Sequence, residues 1–318
     1  MTIQIGKFSN FVEGIAKKVE IGARNAMKEA IYPQFTTVGS SKKLTEREQD
    51  IENMGDIPRW MENTPLSEME FFEGFAKAHS QEQWGGIVLI TKPMVEFQQN
   101  DLVDRLARQL KVSATAAKEL MMHAYLEYGD EAVASVPSVG GTPLIDPLGG
   151  DGLALFHTAH IWKSTSSYTY PNKSASLDSI SETSINTIHT RLGRITDNAG
   201  RPLNIGIKRL IVPVELQMVA EQTLLSQYDP LTANNAINTA PRRISNKAPL
   251  VSKWLSSATD WYAQTDAMDG DLRMWFGWQD AVKRGDNPDP KMQGYFISLD
   301  FSVSHGANRL LSLYKVTA

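Results

Sequence analysis

Between Asp101 and Tyr128, apolar residues recur at three- and four-residue steps: Leu102/Val103, Leu106, Leu110, Ala114, Ala117, Leu120/Met121, Ala124/Tyr125 and Tyr128. That period predicts one long amphipathic helix. Asn100 can cap it, Asp101 and Asp104 put acid where the helix dipole favours it, and Gly129 closes it. At 1.5 Å per residue such a helix is about 42 Å long. A compact ball of 318 residues has a radius of gyration of only about 20 Å. A helix about twice that length suggests an elongated slab rather than a sphere.

The second constraint is a stretch that cannot build a core. From Ser40 to Asn63, ten of 24 residues are charged (Lys42, Lys43, Glu46, Arg47, Glu48, Asp50, Glu52, Asp56, Arg59, Glu62). Six are apolar (Leu44, Ile51, Met54, Ile57, Trp60, Met61), a quarter of the stretch against 42% for the chain. Such a segment does not bury enough surface to offset its ordering entropy. Yet it carries Trp60 and leads into Met69, Phe71, Phe72 and Phe75. It reads as an extended arm ordered by a neighbour. Upstream, Phe11, Ile15, Val19, Ala23 and Ala26/Met27 mark an amphipathic helix over Phe11–Ala30, ended by Tyr32-Pro33.

The remaining elements follow from local pattern. Gly86 to Phe97 is β-rich, with Pro93 placing it at an edge or kinking it. Val136–Gly152 is a Gly/Pro connector. Leu177–Ile195 is helical, burying Ile180, Ile185, Ile188, Leu192 and Ile195. Ile207–Val212 is a buried strand, and Pro213 opens a helix to about Leu225. Trp254–Gln264 and Arg273–Gln279 read as strands. Tyr295–Ser304 and Leu310–Val316 read as a closing β pair around His305-Gly306.

Composition narrows the function. With no cysteine, disulfide scaffolds, thiol catalysis and zinc ribbons are excluded. A net charge of −4 argues against a dedicated nucleic-acid coat. No secretory signal or membrane span is visible, so the expectation is a protein kept in the cytosol. His157 and His160 have the spacing of a metal pair but lack a zincin's acidic neighbour and an evident third ligand, and so read as packing or loop residues. Asp266, Asp269 and Asp271 do not match a calcium loop. Gly149-Gly-Asp-Gly152 lacks the Lys-Ser/Thr of a phosphate cradle. Asn172-Lys-Ser174 fits a glycosylation sequon with no secretory signal to support its use. The expectation is no catalytic residue, no cofactor and no metal.

Some strings are familiar. Asp151-Gly-Leu-Ala-Leu-Phe-His-Thr-Ala-His160 resembles the major capsid protein of tailed bacteriophages, specifically the Mu-like major head subunit family with the Hong Kong 97-type fold. So do Asn198-Ala-Gly-Arg-Pro-Leu-Asn204 leading into Lys208-Arg-Leu-Ile-Val-Pro213, and the segment from Trp275-Phe-Gly-Trp278 to Leu313-Tyr-Lys315. The resemblance implies an α+β fold in five parts. Residues 1–32 would be an N-terminal arm and 33–95 an extended E-loop. Residues 96–177 would be a P-domain with its spine helix at 101–128, 178–272 an A-domain, and 273–318 return strands to the P-domain.

It further implies a non-enzymatic subunit that self-assembles into pentamers and hexamers of an icosahedral shell. That shell would enclose double-stranded DNA non-specifically, with scaffold, portal and decoration proteins as partners and no membrane. Assembly would take place in the host bacterial cytoplasm, and the subunit would reside in the virion. No long scaffolding segment precedes Ser9, which implies a separate scaffold or a cleaved precursor. Inter-subunit contacts would involve Lys42, Lys43, Arg47, Arg59 and Trp60. Some relatives crosslink an E-loop lysine covalently, but Lys42 and Lys43 read as solvated or ion-paired. The alternatives are an encapsulin-like shell around protein cargo, or a metal-dependent hydrolase using His157 and His160 with the Asp266–Asp271 cluster.

Overall fold

The computed structural model describes residues 30–52, 56–69, 72–97, 100–163, 167–174, 176, 178–228, 237–267, 271–286 and 294–317. The helix expected over Phe11–Ala30 lies outside them except for Ala30, as do Met54, Phe71 and Asp269. The long helix forms as its periodicity predicts: α1 spans Asn100–Tyr128. Residues Met121 to Leu126 are buried on every side. The C-terminal half of α1 is therefore a central post, and other elements pack around it.

In chain order the main strands are β1 (Thr37–Ser40), β2 (Thr45–Glu52), β3 (Phe72–Ser80), β4 (Glu82–Thr91), β5 (Ile207–Pro213), β6 (Leu250–Ser252), β7 (Trp261–Thr265), β8 (Arg273–Asp286), β9 (Gly294–Gly306) and β10 (Leu313–Val316). One sheet runs β1-β8-β9-β4 and a second β6-β5-β7-β10, while β2 and β3 form a separate hairpin. Beyond α1 lie α2 (Glu182–Gly193) and α3 (Gln217–Leu225). The fold is α+β. Among the described residues no helix is long and apolar enough to cross a membrane.

Two apolar cores result. The first joins α1, through Ala107, Ala114 and Met121–Leu126, to the inner faces of β8, β9 and β4, such as Met274, Phe276, Ile297, Leu299 and Ile90. The second lies between α2, α3 and the second sheet, with Ile185, Ile188, Leu192, Leu224, Leu210, Val212 and Trp261. Ile211, Tyr262 and Leu313 point from that sheet into the first core. The second sheet is thus covered on both faces, which is why β5 is apolar and buried from Leu210 to Pro213. Polar contacts tie it to α1: Tyr262 Oη donates to the Leu126 carbonyl at 2.8 Å, and Ser252 Oγ lies 2.8 Å from His123 Nε2.

Local chemistry sets the boundaries. α2 starts at a reciprocal capping box, Ser181 Oγ accepting from Ser184 N–H and Ser184 Oγ from Ser181 N–H. The helix is shorter than the expected Leu177–Ile195: Ile185, Ile188 and Leu192 are buried on it as expected, while Ile180 and Ile195 are buried just outside it. β4 is an edge strand as Pro93 suggests, but it stops at Thr91, and Pro93 sits in a helical turn, Lys92–Glu96.

Three expectations are corrected. Trp254–Gln264 is a strand only from Trp261, because side chains rather than a ladder satisfy its first half. Trp254 N–H donates to Ser252 Oγ at 3.1 Å and Ser256 N–H to Glu127. The strand at Arg273 continues to Asp286, twice the expected length. The closing β pair does not exist. β9 pairs with β8 and β4, while β10 pairs with β7 in the other sheet. The chain crosses between sheets at Ala307–Ser312, where Asp271 Oδ2 accepts from the Leu311 and Ser312 amides at 2.5 and 2.8 Å.

Candidate functional site

The residues that looked most like chemistry make polar contacts within the fold. His160 Nδ1 lies 2.7 Å from Asp151 Oδ2, its Nε2 lies 3.2 Å from the Leu155 carbonyl, and its ring stacks on Tyr170. The acidic neighbour missing from the local sequence is thus Asp151, nine residues upstream. Burial, the largest single effect, would raise the Asp151 carboxyl, but the hydrogen bond and charge of His160 together with backbone amide hydrogen bonds hold the group below its usual range. Asp266 accepts from the Gly206 amide at 2.6 Å. Asp271, already engaged by two amides, is pushed up to about 6 by burial. Among the described residues no group of acids and histidines could hold a metal. The sequon residue Asn172 is buried, its amide donating to the Leu155 and Leu310 carbonyls.

The unusual surface is the β2–β3 hairpin. The charged stretch is not wholly an arm awaiting a neighbour, since residues 45–52 pair with β3 of the same chain. Along β2 the acids alternate. Glu46, Glu48 and Asp50 point inward, while Arg47, Gln49 and Ile51 point to solvent. Glu48 lies 3.2 Å from Arg273 Nη1 and accepts from the Asn308 amide at 3.1 Å. Asn308 Nδ2 donates to Asp50 Oδ2 and to the Phe75 carbonyl, both at 2.8 Å, and Arg309 Nε lies 3.7 Å from Asp50. From β3, Lys77 pairs with Asp146 at 3.0 Å, and the His79 carbonyl accepts from Ser304 Oγ at 3.0 Å. The root is a polar clasp centred on Asn308.

Two glycines make this clasp possible. A Cβ on Gly150 would lie 1.9 Å from Asn308 Oδ1, and one on Gly306, at φ 153°, would lie 2.1 Å from the His79 ring. Sequence reading missed Asn308, Glu48 and His79 as a unit. The available signal was the acids at every second position of β2, a strand's period rather than a coil's.

His79 and Glu48 face each other, Nε2 to Oε2, at 4.0 Å. Burial depresses His79 from 6.5 to about 4, helped by Lys77 and His305 and opposed by Asp146. Burial raises Glu48 from 4.5 to about 7 against the pull of Arg273 and Asn308, with Asp50 and Asp271 adding to the rise. The two act on the clasp in opposite senses. The contribution of Glu48 is full below pH 4.5 and is lost as pH rises through about 7. That of His79 is full above pH 6.5 and is lost as pH falls towards 4. In the natural chain they offset, so hairpin opening should vary little between pH 4.5 and 6.5. His79→Gln should unmask Glu48, with opening increasing up to tenfold per unit as pH rises from 4.5 to 7. Glu48→Gln should show the reverse trend below 6.5. Hydrogen exchange of the β2 and β3 amides, corrected for intrinsic rates, reads both; equal slopes in the two variants would refute the assignment.

Beyond the clasp, the hairpin tip is uncovered. Ile57, Trp60, Met61 and Leu66 are 85%, 60%, 61% and 77% exposed. A local turn holds them out: Trp60 Nε1 donates to the Thr64 carbonyl at 2.8 Å, Thr64 Oγ1 to the Met61 carbonyl at 2.6 Å, and Asn63 takes φ 61°. Of the residues expected at inter-subunit contacts, Lys42, Arg47, Arg59 and Trp60 are all exposed, and Lys43 pairs with Glu46 at 3.4 Å. Monomers rarely leave apolar side chains in such density without a partner.

Known proteins share this architecture. The capsid of the cyanophage P-SCSP1u is similar at TM-score 0.56 and 8% identity, over 89% of this chain and 86% of that one. Mycobacterium phage Cain matches at TM-score 0.51 and 10% identity, over 91% and 90%. The capsid of bacteriophage JBD30, decorated with minor capsid protein trimers, matches at 0.50 and 15%, over 71% and 91%. At such identities the likeness is one of fold. A search of curated protein sequences returns no match. The family described as phage capsid protein matches residues 75–314, from β3 through both sheets into β10. This chain belongs to the phage capsid protein family.

Proposed function

We propose that copies of this chain close into pentamers and hexamers of an icosahedral shell around double-stranded DNA, as a Mu-like major head subunit. The carrying observation is the exposed apolar tip on a hairpin whose root is anchored. A side chain such as Trp60 gains burial only against another molecule, and identical copies supply that surface at every position of a ring. In this reading residues 1–32 are the N-terminal arm, 33–95 the E-loop, 96–177 the P-domain, 178–272 the A-domain and 273–318 the return segment. Leu313–Val316, the last strand of the second sheet, joins the A-domain side. Lys42, Lys43, Arg47, Arg59 and Trp60 lie at inter-subunit contacts. A scaffold, a portal and decoration proteins are the further partners, and assembly takes place in the host cytoplasm.

Membership of a family of capsid proteins supports a non-enzymatic role. Negative-stain imaging of the concentrated protein tests the reading. Closed shells of uniform diameter are expected, with nuclease-protected DNA when they form in infected or induced cells. Dispersed single molecules at every concentration and salt would overturn it, and protein cargo in place of DNA would redirect it to an encapsulin-like compartment.

A further inference from the structure

A second uncovered surface lies far from the hairpin in sequence. α3 buries Ala220, Thr223 and Leu224 against the second core, yet its outward face is also apolar. Met218 and Leu225 are 66% and 64% exposed, and Val214, Tyr228 and Ile237 extend the patch. Tyr228 and Ile237 face each other across an isolated antiparallel bridge. Of the exposed positions on this helix only Gln222 is polar, and apolar side chains left uncovered in such density call for a cover.

Charge indicates what covers it. From Val214 to Pro241 the only charged residues are Glu215, Glu221 and Asp229. From Arg242 to Lys253 they are Arg242, Arg243, Lys247 and Lys253, with no acid. All four bases are exposed. Neither they nor Glu215 has an ion-pair partner among the described residues. One unit thus carries an acidic apolar face and, beside it, a basic stretch with no counter-charge.

We propose that the α3 face of one copy docks on the Arg242–Lys253 stretch of a second copy, as a contact between subunits of one ring. The inference rests on the shell reading and names a contact within it. Met218 and Leu225 supply the burial, and the opposed charges set register and speed encounter.

Charge reversal tests this. Glu215→Lys with Glu221→Lys should reduce the fraction sedimenting as shells at least tenfold, and so should Arg242→Glu with Arg243→Glu. Both variants should melt within a few degrees of the natural chain, because none of these four groups is buried. Combining all four substitutions in one chain should restore shells, since the contact is then inverted on both sides. Normal assembly of either two-site variant overturns the proposal, as does failure of the folded four-site variant to recover. Loss of DNA filling with intact empty shells in the Arg242/Arg243 variant also overturns it, by assigning the basic stretch to nucleic acid. If the natural chain forms no shells under any condition, it is the shell reading that fails, which keeps the two failures apart.

Discussion

Asp280→Ala should cost about 3–5 kcal/mol of folding stability, because it strands a buried ammonium. Lys118 leaves α1 and enters the first core, where only 2% of its side chain is exposed, against 7% for Asp280. Its Nζ lies 2.5 Å from Asp280 Oδ1, and 4.7 and 5.4 Å from the ring centroids of Phe301 and Phe276. Burial lowers the Lys118 pKa, and Asp280 opposes that fall. Without the carboxylate only the two rings remain, and a cation over an aromatic face recovers about 2 kcal/mol at best.

The backbone shows how strongly the pair is imposed. Asp280 takes φ 26°, and the β8–β9 register slips between Trp278 and Ala281, which turns the carboxylate towards α1. The sign of the pH effect provides a check. In the variant, Lys118 has a depressed pKa in the folded state, so its contribution is restored only above its unfolded value near 10.5 and is lost as pH falls. The deficit should therefore shrink as pH approaches 10. Lys118→Met with Asp280→Leu should return to within about 1 kcal/mol of the natural chain, since a well-packed apolar pair often equals a buried ion pair. Denaturant midpoints of the three proteins decide it, and a loss below about 1 kcal/mol for Asp280→Ala would mean that the pair does not hold α1 to the sheet.

What the sequence made legible was whatever has a local period. α1 was readable because its apolar residues repeat over eight turns, and α2 because Ile185, Ile188 and Leu192 fall on one stripe. β5 was readable as a run buried on both faces. Pairing was not readable, because it is decided between distant segments. β10 has the same alternation whether it pairs with β9 or with β7, and Asp271, forty residues away, draws the chain across to the second sheet. The candidate site divides along the same line. The exposed apolar tip followed from composition. The clasp did not, because Asn308 and its partners Glu48 and Asp50 stand 260 and 258 residues apart. Their charges looked like those of a solvated arm until a strand placed every second one against the body. His160 shows the reverse case, a suggestive spacing whose partners turned out to be a carboxylate, a carbonyl and a ring.

Trimming the hairpin tip should abolish shells and leave the subunit intact. Joining Ile51 to Phe72 through a short turn removes the exposed Ile57, Trp60, Met61 and Leu66 and keeps most of the β2–β3 pairing. The clasp to Asn308 and Arg273 survives, because Glu48, Asp50 and Phe75 are untouched. Little is lost from the fold, since those four side chains bury little in their own chain, and the melting temperature should move by no more than about 2 °C. Assembly loses far more. Fully burying one large apolar side chain against a neighbour contributes about 1.5–3 kcal/mol, so four supply about 6–12 kcal/mol before the ordering cost of the contact. Deleting the whole of Ser40–Asn63 is the blunter experiment. It strips β3 of its partner and removes Glu48 and Asp50, leaving the Asn308 amide unpaired, so a failure to assemble would confound a damaged root with a missing tip. Sedimentation and negative-stain images of the trimmed chain separate the two. Normal shells from it would show that the tip contributes nothing to the lattice and that contacts elsewhere on the subunit, such as the α3 face, carry assembly.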